Sequence, residues 1–284
     1  MANTTKSEPE FDSLLKPLGE SIDGKVILVS GANRGIGKAF VESFLAHGAS
    51  KVYAACRSIE SAEKAFPDFL ETTSDGTKAS GVVVPLKLDM GDPQTIQNIA
   101  TVATDVDIVI NNAGVLTRTT PLEGETAVQN LQYEMDINVY GFMRLANIFA
   151  PILEKRDGKG VLVQVNSVAS MRCAAPNAST YSASKAASFS ITQALRDQLR
   201  AKGVHVVSVH PGPINTDMLS DVPSLVAIAP PSSVVSESLI AAICSSTNLP
   251  SFLVYPDKKS KSMGKAYESY AKLVIEGGKA YGEE

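Results

Sequence analysis

The sequence predicts an α/β protein with one doubly wound parallel sheet of about seven strands and helices on both faces. Short runs rich in Val, Ile and Leu recur along the chain, separated by stretches with helical spacing. Such alternation argues for parallel strands joined by crossover helices. The runs are apolar nearly throughout, as strands buried on both faces are. A chain of 284 residues is long enough to bury a substantial core as one domain.

The elements follow in order. Residues 1–23 form a polar lead, expected to be flexible or draped over the surface. The domain is expected over residues 24–256, and its first strand, Val26 to Ser30, runs directly into Gly31-Ala32-Asn33-Arg34-Gly35-Ile36-Gly37. A helix follows, with Ala39, Phe40, Phe44 and Leu45 at core spacing and Gly48 as its stop signal. Further strands are expected over Lys51 to Ala55, Gly81 to Leu86, Asp107 to Ile110, Gly160 to Val165 and Val204 to Val209. The polar run from Glu71 to Ser80 reads as a surface loop. A helix over Ser232 to Ser245 and a short strand over Ser251 to Tyr255 complete the domain. In the extension, residues 257–284, Met263, Tyr267, Tyr270, Leu273 and Val274 have helical spacing. That helix covers the pocket, a neighbouring subunit or the sheet edge, and the sequence leaves the three open.

Composition excludes several functions. The net charge of −4 gives no reason to expect nucleic acid or an anionic membrane as a partner. Apolar runs stop well short of the roughly 20 residues that span a bilayer. The lead has no apolar core and does not read as a signal peptide. Cys56, Cys173 and Cys244 form no disulfide or metal pattern, so a reducing, cytoplasmic compartment is expected. Cys173 reads as a substrate contact or an unreactive buried thiol. His47, His205 and His210 lack metal-ligand spacing and read as surface or strand-end residues, and no metal is expected.

Two segments carry chemistry. Strand, glycine turn and helix are what a phosphate-binding loop requires: glycines allow the tight turn and close backbone approach, and the helix N-terminus attracts the anion. Tyr181 and Lys185, four residues apart, project from one helix face. A free phenol has a pKa of about 10, and a fixed cation beside it favours the phenolate. Each feature alone is ordinary, since a glycine turn also serves as a plain strand-to-helix connection and two such residues often lie on a surface.

Their order along the chain is not ordinary. After the glycine turn come Asn111-Asn112-Ala113-Gly114 behind a strand, Asn138 in Ile137-Asn138-Val139, and Ser167 after another strand. Tyr181 and Lys185 follow, and then Pro211-Gly212-Pro213-Ile214-Asn215-Thr216. From about Lys25 to about Leu219 this series resembles the short-chain dehydrogenase/reductase family, which has a Rossmann-type fold.

The resemblance implies an oxidoreductase that interconverts a ketone or aldehyde and an alcohol with a nicotinamide cofactor. Tyr181 would be the general acid in reduction and the general base in oxidation. Lys185 would lower its pKa and hold the nicotinamide ribose, and Ser167 would hydrogen-bond the substrate oxygen. Asn138 would bind a water through its backbone. Ser167 stands 14 residues before Tyr181, where many relatives have 13, so Ser170 is the alternative. Gly31, Asn33, Arg34, Gly35, Ile36 and Gly37 match the phosphate turn. Asp89 and Met90 match the adenine contact, although Asp89 also reads as a turn or cap residue. Asn112, Ala113 and Gly114 match the segment beside the adenine ribose and the nicotinamide half, and Pro211, Gly212, Ile214 and Thr216 the carboxamide and pyrophosphate segment.

Charge selects the cofactor. The acid that would bind the ribose hydroxyl of NAD, about 20 residues beyond the glycines, is replaced by Cys56-Arg57. Arg57 and Arg34 suit the 2′-phosphate of NADP(H). The lid segment from Asp217 to Ala229 is largely aliphatic, which favours an apolar, uncharged substrate. Ala183, Ala186, Ala187 and Ser190 form a small-residue face of the kind relatives use to associate, so a homodimer or homotetramer is expected. The alternatives are reduction of an activated carbon–carbon double bond, or a non-catalytic NADP-sensing protein on the same fold.

Overall fold

The computed structural model describes residues 14–69 and 82–271. Seven strands form one sheet: β1 (Val26–Ser30), β2 (Lys51–Cys56), β3 (Val82–Lys87), β4 (Ile108–Asn111), β5 (Gly160–Val165), β6 (Val204–Val209) and β7 (Leu253–Val254). They are ordered β3-β2-β1-β4-β5-β6-β7, and every neighbouring pair is parallel. The doubly wound parallel sheet expected from the sequence is therefore present. The chain winds outward from β1 to β3, then returns to start β4 beside β1, with Leu28 opposite Val109. At such a reversal a crevice opens beyond the C-terminal strand ends, where ligands bind in this architecture.

The helices are α1 (Gly35–Ala46), α2 (Ile59–Ala65), α3 (Pro93–Val102), α4 (Glu125–Met135), α5 (Gly141–Leu153), α6 (Ser179–Arg200), α7 (Pro223–Val226), α8 (Ser233–Ile243) and α9 (Lys258–Ala271). Alternate residues of the buried strands feed two cores. Ile27, Val29, Ile108 and Ile110 join Phe40 and Phe44 of α1 and Leu239 of α8 on one face. Leu28 and Val109 join Ile96 of α3, Phe142 and Phe149 of α5 and Phe189 of α6 on the other. Full burial of each such side chain contributes about 1.5–3 kcal/mol, which is why these strands read as continuous apolar runs.

Some expectations change. The last strand shortens to two residues, because β7 is an edge strand that pairs with β6 alone. The lead is not wholly polar in its packing: Leu18 and Ile22 are buried, and the Gly19 N–H donates to the Ser245 carbonyl at 2.9 Å. Of the three places left open for the C-terminal helix, α9 lies against this subunit's own sheet edge and α6. Tyr267 packs on Phe189 with ring centres 6.4 Å apart, and a Cβ on Gly264 would fall 2.4 Å from the Tyr255 ring. The loop over 71–80, Gly81, Leu273 and Val274 lie outside the described residues.

Candidate active site

The crevice is built first by the glycine turn. Gly31 has φ +65° and Gly35 φ +52°, in the left-handed region that glycine occupies without strain. A Cβ on Gly37 would lie 2.0 Å from the Gly31 carbonyl oxygen, so the turn folds directly onto α1. Arg34 at the N-cap makes no side-chain cap bond, and the first turn of α1 has no acid. The free N–H groups and positive dipole there fit a dinucleotide pyrophosphate. Asn33 and Ile36 are half-buried in this turn, and the backbone of Asn33 lies against the Cys56 sulfur.

Sequence reading missed what holds the neighbouring loop. The Ser30 hydroxyl accepts the N–H groups of Asn112 and Ala113, both at 3.0 Å, and donates to Asn111 Oδ1 at 3.2 Å. Asn111 Nδ2 donates to Gln164 Oε1 at 2.6 Å, and Gln164 Nε2 to the Ser188 hydroxyl at 3.0 Å. This buried chain crosses three strands and ties β1 to α6. Asn112 Nδ2 donates to the Ser30 carbonyl at 3.0 Å, which clamps the loop onto the glycine turn.

Asn138 sits where α4 widens into a π-helical turn over Asp136–Tyr140 before α5 begins. Such turns cluster at functional sites. Its buried side chain accepts the Val115 N–H and donates to the Val115 carbonyl, both at 2.9 Å, and donates to the Ser184 hydroxyl at 2.9 Å. A Cβ on Gly114 would come within 3.0 Å of Asn138 Oδ1 and 3.5 Å of Lys185 Nζ. Gly114 therefore brings the loop, Asn138 and Lys185 to one point.

Tyr181 and Lys185 are both buried on α6. Burial pushes the Tyr181 phenol up to about 12; the neighbouring Ser167 hydroxyl pulls down, the Glu134 carboxylate pushes up and the Arg118 guanidinium pulls down. Ser167 Oγ accepts the Ala169 N–H at 3.1 Å and donates to the Pro211 carbonyl at 3.4 Å. Burial lowers Lys185 to about 8, and its ammonium donates to the Val165 carbonyl at 2.9 Å. The Lys185 ammonium lies 5.9 Å from the centre of the Tyr181 ring. Ser170 donates to the Ser167 carbonyl at 2.5 Å and lies 3.1 Å from His210 Nδ1.

The Pro211-Gly212 segment is held by a residue sequence reading passed over. Asp257 accepts the Gly212 N–H on Oδ2 at 2.7 Å and the N–H groups of Lys259 and Ser260 on Oδ1, so one carboxylate caps α9 and fixes this turn. The reciprocal Ser260 hydroxyl, accepting the Asp257 N–H at 3.0 Å, completes an Asp-x-x-Ser signature that was legible in the sequence. Ile214 is buried, and Thr216 packs 3.2 Å from a Cβ on Gly35.

The candidate adenine end is more open. Arg57 is exposed at the end of β2, and Gly31 bonds back to the Ala55 carbonyl two residues before it. Arg34 is paired with Asp217 at 3.0 Å, both exposed. Asp89 Oδ1 accepts the Gly91 N–H at 2.9 Å, which gives it the turn role weighed as the alternative. Met90 is buried, its carbonyl 2.6 Å from a Cβ on Gly141. The lid is fastened twice, by Asp217 to Arg34 and by Asp221 to Arg118 through two bonds of 2.7 and 2.9 Å. A cavity of about 510 Å³ opens between α1 and the lid, lined by Lys38, Glu42 and Asp217, and Tyr181 does not line it.

His205 lies in β6 and His210 directly follows it, so of the two alternatives the strand position holds and the surface one does not: both are buried, His210 with its ring edge on Phe189 and Nε2 2.8 Å from the Ser208 hydroxyl. Cys173 is exposed rather than buried.

A doubly wound sheet with an uncapped glycine-turn helix at its point of reversal is the arrangement that binds a dinucleotide in this architecture. Residues 25–225 match the family described as short chain dehydrogenase, and the chain belongs to it. A short chain dehydrogenase of Monascus ruber is 32% identical over 209 residues, 72% of this chain and 67% of that protein. A farnesol dehydrogenase of Aedes aegypti is 31% identical over 201 residues, 70% of this chain and 80% of its own. The solved structure of a short chain dehydrogenase from Burkholderia cenocepacia in complex with NADP has a TM-score of 0.70 at 29% identity, covering 89% of this chain and 97% of that one. Members of the family are oxidoreductases that use a nicotinamide cofactor on small molecules. No helix among the described residues is long and apolar enough to cross a membrane.

Proposed function

We propose that this chain is an NADP(H)-dependent carbonyl reductase, interconverting an apolar, uncharged ketone or aldehyde and the corresponding alcohol. The observation that carries the proposal is the buried Tyr181 phenol with the Ser167 hydroxyl against it and Lys185 one helical turn on. When bound, the nicotinamide supplies or accepts the hydride. Tyr181 gives its proton to the carbonyl oxygen in reduction, and its high pKa keeps the phenol protonated at neutral pH. Ser167 donates to the same oxygen as charge develops on it. Lys185 holds the ribose hydroxyls of the nicotinamide half, and the wide turn at Asn138 holds, through its backbone, the water that returns the proton.

Gly31, Asn33, Gly35, Ile36 and Gly37 cradle the pyrophosphate against α1, with Ile214 and Thr216 closing from the other side. Arg57, with no ion pair among the described residues, takes the 2′-phosphate, and Arg34 joins it on leaving Asp217. The protein works in the cytoplasm as a homodimer or homotetramer, with residues 24–256 as its catalytic domain.

Tyr181→Phe tests the reading. Turnover of ketones with NADPH should fall by about 10²- to 10⁴-fold, the usual contribution of acid–base catalysis, while NADPH binding measured by fluorescence stays intact. Near-normal turnover would remove Tyr181 from its role.

A further inference from the structure

Glu134, on the last turn of α4, is fully buried, and the reaction described above does not use it. Burying a carboxylate is costly unless hydrogen bonds or a partner offset the loss of water. Oε1 accepts two bonds from Thr117, from its N–H at 2.6 Å and from its hydroxyl at 2.8 Å. Oε2 has no hydrogen-bond partner among the described residues. The carboxyl group is therefore bonded on one oxygen and without a partner among the described residues on the other.

The bonds lead to the catalytic helix. The Thr117 hydroxyl has one proton, and it is directed at Glu134. In the 3.4 Å contact between the Thr117 and Thr180 hydroxyls, Thr180 is then the donor. The chain runs from Thr180 through Thr117 to Glu134, and Thr180 immediately precedes Tyr181.

We propose that Glu134 is a positioning residue for Tyr181: through Thr117 and Thr180 it fixes the start of the catalytic helix, and its carboxylate, one hydrogen-bonded step beyond Thr117, favours the neutral, proton-donating phenol. This rests on the assignment of Tyr181 as the acid–base group. The charged and polar groups that face Tyr181 act in both directions. Arg118, from the loop before α4, opposes Glu134, and Ser167 from the β5 end stabilises the phenolate. Lys185 on α6 lies 5.9 Å from the ring centre with its hydrogen bond on Val165, and His210 beyond Ser167 is neutral through burial. Glu134 outweighs Arg118 because the guanidinium is partly exposed and its charge is met by the two bonds to Asp221. Solvent screens the one and not the other.

Glu134→Gln separates charge from packing, because the amide oxygen still accepts both Thr117 bonds. The phenolate absorbance of Tyr181, taken against a Tyr181→Phe background over the alkaline range in which the protein stays folded, should appear at lower pH. Alcohol oxidation should follow it downward by roughly one pH unit, which is about tenfold faster oxidation at a pH below the midpoint. KM for both substrates should stay in place. Thr117→Val removes the hydroxyl link and keeps the charge, so turnover should fall with the pH profile unmoved. An unshifted titration in a folded Glu134→Gln, or an equal shift in Thr117→Val, overturns the proposal. Should the glutamine variant not fold, Glu134→Asp carries the test: it keeps the charge and loses the reach to Thr117, so turnover must drop without a displaced profile. A dead Tyr181→Phe beside an unshifted Glu134→Gln sinks only the role of Glu134, whereas an active Tyr181→Phe sinks the acid–base assignment itself.

Discussion

The Lys185 ammonium lies 5.9 Å from the centre of the Tyr181 ring, and its hydrogen bond goes to the Val165 carbonyl at 2.9 Å. Burial drives both groups toward their neutral forms, the phenol upward and the amine downward. Burial thus favours the protonated phenol of Tyr181.

Cofactor choice is the first consequence to measure. Arg57 is exposed and without an ion pair among the described residues, while Arg34 is held by Asp217. Arg57→Ala should weaken NADPH binding about tenfold or more, as loss of a charge-assisted phosphate contact does, and leave NADH unchanged. Asp217→Asn should strengthen NADPH by no more than about fivefold, since exposed ion pairs contribute about 0–1 kcal/mol. Calorimetric titration with both cofactors checks each, and equal losses for NADPH and NADH in Arg57→Ala would place Arg57 elsewhere.

The fold was legible because its signal is local. β1, β5 and β6 begin and end where their apolar runs do, and Gly31, Gly35 and Gly37 mark the turn by spacing alone. What sequence did not disclose depends on residues far apart in the chain. Ser30, Asn111, Gln164 and Ser188 read as ordinary polar residues until the strand order sets them in line. Glu134 sits on a polar stretch of α4, and only the packing of α4 on α6 makes it a buried charge. His210 ends an apolar strand, so its burial needed the cover supplied by Phe189 and Tyr255.

Assembly can be tested on α4 to α6. Val128, Tyr133, Tyr140 and Met143 are exposed on α4, the π-helical turn and α5, and Ala183, Ala186 and Ser190 are exposed on α6. Pairing these faces across a two-fold axis buries them. Light scattering should report a dimer or tetramer for the native chain and a smaller species for Tyr140→Glu combined with Ala186→Arg. A native monomer at working concentration would contradict the pairing.

His210 sets an acid limit to stability. Burial lowers it from an ordinary 6.5 to about 4, with the Ser167 carbonyl pulling upward and Lys185 pushing further down. Between those values the unfolded chain binds more protons than the folded one, so stability falls as pH drops from 6.5 to about 4. The loss from this group amounts to roughly 3 kcal/mol and is complete below the folded value. Denaturant midpoints across this range should fall steeply for the native chain and less for His210→Gln. Equal slopes would show that His210 is charged in the folded state.

The lid carries the most exposed prediction. Asp217 and Asp221 fasten it to the two arginines, and the proposed apolar substrate would meet its aliphatic residues. Leu219 and Leu225 are half-buried, so each contributes less than a fully buried leucine, about 1 kcal/mol toward an apolar ligand. Leu219→Ala or Leu225→Ala should raise KM for a bulky hydrophobic ketone roughly fivefold and leave a small ketone nearly unchanged. If the leucines serve only to pack the lid, both ketones lose equally, because a loosened lid does not discriminate by size. Asp221→Asn separates these further. It releases Arg118 without removing any apolar contact, so it should raise KM for both ketones alike and keep their ratio, whereas the leucine variants change the ratio.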